Sequence, residues 1–304
     1  MYHIPVLLQE SVDNLITDPD GIYIDATFGG GGHSREILKR LKNGKLFSFD
    51  QDEDSNRNVI DDERCMLINA NFKYIKNFMR YFDAIPVSGI LADLGISSYQ
   101  IDAKGKGFSI RHEDALDLRM DKRKSKKGND VLNEYSEYEL ARIFKNYGEI
   151  KNSGRLASEI CQARKEKTFQ TTSQLVDAAK KLARRGRENK YLAQVFQALR
   201  IEVNDELDNL KELLIKGTEI LQNRGRFVVI AYHSLEDRLV KNFFRSGNIE
   251  GRLDKDFFGN VSSPLKPVDH KLITPGEKEI RENPRSRSAR MRIAEKTEHG
   301  HHGK

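Results

Sequence analysis

The stretch Asp25-Ala-Thr-Phe-Gly-Gly-Gly-Gly-His-Ser34 is entered from the apolar run Ile22-Tyr-Ile24 and followed by Arg35-Glu-Ile-Leu-Lys-Arg-Leu41, which predicts strand, glycine turn and helix in succession. Glycines 29 to 32 tolerate positive φ and carry no Cβ, so backbone N–H groups and a helix N-terminus can close on a nucleotide-like ligand. A second strand-like run, Lys45-Leu-Phe-Ser-Phe-Asp50, ends in an acid about 20 residues beyond the glycines, where this architecture places a carboxylate on ribose hydroxyls. An isolated glycine turn is also an ordinary structural turn; the ordered set of Asp25, the glycines and Asp50 weakens that alternative.

The turn departs from the dinucleotide pattern G-x-G-x-x-G, because Ser34 fills the third glycine slot and Asp25 stands just ahead of the turn. An acidic strand end suits a cationic ligand without pyrophosphate. S-adenosylmethionine (SAM), with its sulfonium, amino acid end and adenosine, fits better than NAD.

Two further strand-like runs follow, Cys65-Met-Leu-Ile-Asn69 and Val87-Ser-Gly-Ile-Leu-Ala-Asp93, each after a helix-like stretch. Alternating apolar strands and helices predict an α/β fold with a doubly wound, Rossmann-like parallel sheet and its ligand at the strand carboxyl ends. Asp25, Asp50 and Asp93 each close one strand at that edge.

From about Gly105 to Leu221 the pattern becomes helical. Ser136-Glu-Tyr-Glu139 and Thr171-Thr-Ser-Gln174 are capping-box signatures ahead of apolar periodicity. A stripe through Leu192, Val195, Phe196, Leu199, Val203, Leu207 and Leu210 is interrupted near Asn204-Asp205 and reads as core. Sheet character returns at Gly225-Arg-Phe-Val-Val-Ile-Ala-Tyr232. The expectation is a discontinuous ligand-binding domain over 1–108 and 218–304, with an all-helical insertion over 109–217. Residues 247–284 read as loop with short strands, and His299 to Lys304 as a disordered tail.

At 304 residues the chain needs no staple for its core. Cys65 and Cys161 have no neighbours at ligand spacing, so neither a zinc site nor a disulfide framework is expected and no metal is assigned. The N-terminal residues lack a basic, apolar leader and no run approaches 18 apolar residues, which points to a cytoplasmic protein without a membrane partner. The net charge of +6, from 52 basic and 46 acidic residues, is concentrated at Lys122 to Lys127, Lys180 to Arg187 and Arg281 to Arg292. Each cluster alone is equally well a solvated surface; together they favour RNA or DNA.

The chain resembles the bacterial small-subunit ribosomal RNA cytosine-N4 methyltransferases of the RsmH (MraW) type. The resemblance is carried by His3-Ile-Pro-Val-Leu-Leu8, the 25–34 turn, Asp93-Leu-Gly-Ile-Ser-Ser98, and Gly107-Phe-Ser109 with Leu116-Asp-Leu-Arg-Met-Asp121. Phe196-Gln-Ala-Leu-Arg-Ile-Glu-Val-Asn204, His233-Ser-Leu-Glu-Asp-Arg238 and Asn283-Pro-Arg-Ser-Arg-Ser-Ala289 extend it almost end to end. It departs where Asn189-Lys-Tyr-Leu-Ala193 replaces the usual His-Pro-Ala-Thr and where Ile150 replaces a second acid after Glu149, which touches contacts of the insertion alone.

The resemblance implies a class I SAM-dependent methyltransferase acting on a cytidine in the decoding centre of 16S rRNA. It assigns SAM contacts to Gly31, Gly32, His33, Asp50, Phe72, Asp93 and Gln100. Asp93 is also the candidate proton acceptor, standing where other amino-methyltransferases carry an acid or amide before Pro-Pro-aromatic, although Leu94-Gly95 follows it here. The alternative for Asp93 is a purely binding or turn-capping role. Tyr99 and Phe108 are candidates to stack on an unstacked base, His233 to face it, and Arg285 and Arg287 to meet phosphates, with Arg290 and Arg292 as a second pair at strand-like spacing. A helix-capping role for Ser234 and its acids, and a solvated terminal strand, are the competing readings. An amino-methyltransferase of DNA or another substrate, a non-catalytic RNA-binding protein, and a homodimer remain open.

Overall fold

A computed structural model describes residues 5–103, 105–110, 113–253, 263–268 and 272–298. The opening His3-Ile of the first motif, parts of the 247–284 segment, and the tail from 299 lie outside them.

The chain opens with helix α1 (Leu8–Leu15), then β1 (Ile22–Asp25), α2 (Gly32–Arg40), β2 (Lys45–Phe49), β3 (Cys65–Ile68), α3 (Ile75–Tyr81) and β4 (Val87–Asp93). Helices α4 (Ser98–Asp102), α5 (Gly128–Glu134), α6 (Glu137–Asn146), α7 (Ser153–Glu166), α8 (Thr172–Lys180) and α9 (Glu188–Asn204) follow without a strand. Then come α10 (Glu206–Ile220), β5 (Leu221–Ala231), α11 (Ser234–Ser246), β6 (Leu265–Pro267), α12 (Glu277–Glu282) and β7 (Arg290–Lys296). No described helix is long and apolar enough to cross a membrane.

The strands form one sheet in the order β3-β2-β1-β4-β5-β7-β6. The first five in that order are parallel and β7 runs antiparallel to β5 and β6. This is the doubly wound plan of class I methyltransferases. Alternation along the strands feeds two cores. Ile24, Phe47, Ile90, Phe227 and Val229 pack on one face with Ile75 and Met79 of α3, Leu210, Leu213 and Leu214 of α10, and Phe243 and Phe244 of α11. Tyr23, Leu46, Leu91, Val228 and Ile230 pack on the other with Val12 and Leu15 of α1 and Ile37 and Leu38 of α2. Burial on both faces is why these strands read as continuous apolar runs.

The chain divides into a sheet unit, Met1–Gly95 with Leu207–Lys304, and a helical unit, Ile96–Glu206. The boundaries therefore sit before the expected 108/109 and 217/218. The physical reasons are specific: Phe108 is buried in the helical core with Leu116, Leu118 and Phe196, whereas Leu210 to Leu214 belong to the sheet core. The stripe that joined α9 to α10 in sequence is broken at Asp205, whose φ of 53° ends α9.

Within the helical unit, two of the motifs that carry the resemblance prove to be internal clamps. Asn204 is buried, accepts from the Met120 N–H at 2.8 Å and donates to the carbonyls of Leu118 and Arg200. Arg200 holds Glu206 through two bonds of 2.8 and 2.9 Å, and Arg119 holds Asp117 in the same bidentate way while reaching the carbonyls of Lys122 and Lys124. These pairs fix an irregular loop whose backbone would otherwise lack partners.

Candidate active site

The sheet's carboxyl edge gathers the glycine turn, Asp25, Asp50 and Asp93. Gly31 sits at φ +74°, where it starts α2. A Cβ on Gly32 would come within 2.1 Å of Pro5, so this glycine is required by the N-terminal segment, whereas a Cβ on Gly30 would meet nothing within 4 Å. The turn is braced from outside: Arg35 donates to the carbonyls of Gly30 and Asn58, and Asn58 to that of Gly29.

Asp25 is taken up by bonds inside the fold. It is 1% exposed, accepts from the Ser34 hydroxyl at 2.6 Å and the Thr27 N–H at 3.1 Å, and burial pushes its carboxyl above the usual range. The hydroxyl of Ser34 also meets that of Ser48 at 2.9 Å. Ser34 in place of a third glycine thus belongs to an internal network tying turn to sheet, and the acid ahead of the turn serves the turn rather than a cation.

Asp50 is held by backbone donors on both oxygens, Gly29 N–H at 2.8 Å on Oδ2 and Asp52 N–H at 2.8 Å on Oδ1. Burial outweighs those bonds and pushes its carboxyl up to about 6. Each oxygen retains a lone pair for a further donor, so the carboxylate is oriented yet able to take ligand hydroxyls. Asp93 is likewise pushed up to about 6 by burial. Its N–H donates to the Thr27 hydroxyl at 2.7 Å, its Oδ1 accepts from the Tyr232 hydroxyl at 2.8 Å, and its Oδ2 lies 3.9 Å from His33 Nδ1. His33 is buried, with Nε2 at 3.1 Å from the Val6 carbonyl. That carbonyl only accepts, so Nε2 carries the hydrogen and the side chain is anchored toward the N-terminal segment.

The donor set fits SAM. The open space at Gly30 leaves room for close approach, Asp50 can bind a pair of hydroxyls, and Asp93 offers a negative charge in a desolvated edge with, among the described residues, no arginine or lysine bonded to it. Phe72 begins the turn after β3 and packs half-buried against the sheet core, beside Asn71, which bonds Gln51.

The remaining expected site residues separate clearly. In the helical unit, Gln100 is buried and its side chain closes a capping box with Ser97, which accounts for its carbonyl oxygen. Tyr99 is 49% exposed with Lys106 over its ring, as a stacking residue would be. Phe108 is 8% exposed and packed in the helical core, so it is not a stacking platform. In the sheet unit, His233 is the N-cap of α11: its Nδ1 accepts from the Glu236 N–H, its Nε2 is 3.1 Å from Glu236, and its side chain is 7% exposed. The capping reading, carried by His233 itself, describes it better than one facing a base.

Arg285 and Arg287 do not alternate along a strand; Pro284 starts a 3-10 turn over Pro284–Ser288, on which both are exposed. Arg287 lines a cleft of about 340 Å³ with Tyr232, Ser234 and Thr274. Arg290 and Arg292 do sit on β7, but both grip Asp237 of α11, at 3.0 and 2.6 Å. Tyr232 was missed altogether, since it reads in sequence as the last apolar residue of β5.

The profile of the MraW methylase family matches residues 1–297. The chain is 54% identical over 296 residues to the ribosomal RNA small subunit methyltransferase H of Bacteroides thetaiotaomicron, covering 97% of each protein. The protein of that name from Phocaeicola vulgatus is 54% identical over 297 residues, covering 97% of this chain and 98% of its own. That of Flavobacterium johnsoniae is 53% identical over 296 residues, covering 97% and 98%. A match along nearly the whole length, through both the sheet unit and the helical unit, establishes that the chain belongs to the MraW methylase family.

Proposed function

We propose that this methylase transfers the methyl group of SAM to the exocyclic N4 of a cytidine in 16S rRNA, within the small ribosomal subunit, in the cytoplasm. The observation that carries the reading is Asp93, a desolvated carboxylate at the end of β4 with one oxygen fixed by Tyr232 and, among the described residues, no arginine or lysine bonded to it. The names of the full-length relatives supply the substrate class.

Cytosine N4 is a weak nucleophile because its lone pair is delocalised into the ring, so the protein's work is to orient the amine and take its proton. Bound SAM supplies the electrophilic methyl. Gly31, Gly32 and the backbone at His33 would hold the donor, with Asp50 available to its ribose hydroxyls and Phe72 beside them. Asp93 aligns the amine through an N–H donated to its carboxylate and takes one proton as the N–C bond forms. Alignment and electrostatic stabilisation of this kind contribute several kcal/mol to barrier lowering, on the order of 10²–10⁴-fold for the proton acceptor. Tyr99, Arg285 and Arg287 meet the RNA, with Lys181, Arg184, Arg185 and Arg187 as an exposed basic face of the helical unit.

The test is transfer of labelled methyl to small-subunit particles lacking native modification, followed by nucleoside analysis, with the wild type beside Asp93→Ala. Label in N4-methylcytidine that is lost in the variant is the expected result. Unlabelled particles despite measurable SAM binding would sink the reading.

A further inference from the structure

Asp93 has two oxygens in different surroundings, and one residue makes the difference. Tyr232 follows β5 directly, 139 positions from Asp93 in sequence, and its hydroxyl donates to Oδ1 at 2.8 Å. The phenol is pushed well above its ordinary value by burial and by the carboxylates around it, so it stays a donor. Its position is fixed twice. Its backbone N–H is taken by Glu236 at 2.9 Å, and its ring lies under Gly95, where a Cβ would come to 3.4 Å from it and where φ is +100°.

We propose that Tyr232 is a positioning residue for methyl transfer: by occupying Oδ1 of Asp93, it leaves Oδ2 as the oxygen that receives the proton of the substrate amine. The proposal rests on the amine-methylation reading above. The step balances without another reactant: the N–C bond forms, the C–S bond of the donor breaks with its electron pair retained by sulfur, and one N4 proton passes to Oδ2. That proton leaves to water when the product departs. The titratable groups facing Asp93 are His33 from α2, Tyr232 from the end of β5, Asp25 from β1 and Glu236 from α11. Among them Tyr232 donates a hydrogen bond at hydrogen-bond distance, while His33 Nδ1 stands 3.9 Å away.

Tyr232→Phe removes the hydroxyl and keeps the ring. A hydrogen bond to a charged acceptor shifts its ionisation by about one pH unit. The carboxyl ¹³C signal of Asp93, labelled at aspartate and assigned by its loss in Asp93→Asn, is therefore expected to titrate about one unit higher in the ligand-free Phe variant than its wild-type midpoint near 6. The acid limb of the kcat profile on small-subunit particles should move up by the same amount. Activity should then be about five- to sixfold below wild type at pH 6 and recover substantially by pH 9, with KM little changed. An unmoved carboxyl signal would overturn the hold of Tyr232 on Asp93. A moved signal with an unmoved kcat limb, or a loss equal at every pH, would overturn the positioning role. A wild type that methylates no rRNA while the carboxyl shift stands would strike the substrate reading and leave the contact itself in place.

Discussion

Asp93 and Asp237 belong to the same sheet unit, are both largely buried, and stand in opposite electrostatic conditions. Asp237, in the first turn of α11, lies between Arg290 and Arg292, and their guanidinium groups hold its carboxyl below the usual carboxylate range despite its burial. Among the described residues Asp93, at the end of β4, faces a phenol at 2.8 Å and an imidazole at 3.9 Å, and burial pushes it up to about 6. One charge is neutralised by two guanidinium groups and helps fasten α11 to β7; the other has no such cation among the described residues. Asp50 repeats the second pattern, with backbone donors in place of cations. Burial without a cation sets Asp50 and Asp93 apart from Asp237, although Asp25, spent on Ser34 and Thr27, shares it.

The comparison predicts opposite consequences for removing each charge. Asp93→Asn should lower kcat by about 10²–10⁴-fold, since an amide still accepts from Tyr232 but takes no proton. A cooperative urea transition should show that the protein is intact. Activity within threefold of wild type would mean that Asp93 is not the acceptor. Asp237→Ala should leave two arginines facing each other and cost about 2–3 kcal/mol in urea unfolding at pH 7, below the full penalty of a broken buried pair because Arg290 is half exposed. A loss under about 0.5 kcal/mol would show the clamp to be ornamental.

A third substitution tests whether Asp50 belongs with Asp93. Asp50→Ala removes the acceptor of the Gly29 and Asp52 N–H groups and the anchor for ligand hydroxyls. It should weaken SAM binding about tenfold or more by calorimetry, equivalent to about 1.4 kcal/mol. Unchanged affinity would move Asp50 to the structural side with Asp25.

These contrasts also explain what could be read in advance. Asp50 and Asp93 were legible because each terminates an apolar run, and the glycine turn because its residues are contiguous. Asp25 was legible as a position but not in its direction, since its partner Ser34 occupies the slot whose departure from the dinucleotide pattern had pointed to a ligand. Tyr232 was hidden because its partner lies 139 residues away and nothing local distinguishes it from the core of β5. Arg290 and Arg292 were seen as a pair, but the acid that takes them is 53 to 55 residues upstream on another element. Phe108 looked available because its neighbours Gly107 and Ser109 are small and polar; its burial depends on residues as far away as Val203. The early unit boundary had one local sign, the Asn204-Asp205 interruption, which an otherwise continuous apolar stripe outweighed.

The smallest effect gives the cleanest separation of the two kinds of acid. A carboxyl whose folded value lies near 6 against an ordinary value of 3.8 binds its proton more tightly in the folded state. Its contribution is therefore most favourable below about pH 4 and is lost as pH rises toward 6, by at most about 3 kcal/mol and less after local relaxation. Asp237 has the reverse sign: its stabilisation is present above the ordinary value and disappears as pH falls through its lowered one. Urea titrations of the ligand-free protein from pH 4 to 8 should find Asp93→Asn equal to wild type near pH 4 and about 1–2 kcal/mol more stable above pH 7, because the amide keeps the Tyr232 bond without the buried charge. Were the variant less stable than wild type at pH 7, the carboxylate would be a net stabiliser like Asp237, and the distinction between the two acids would fail.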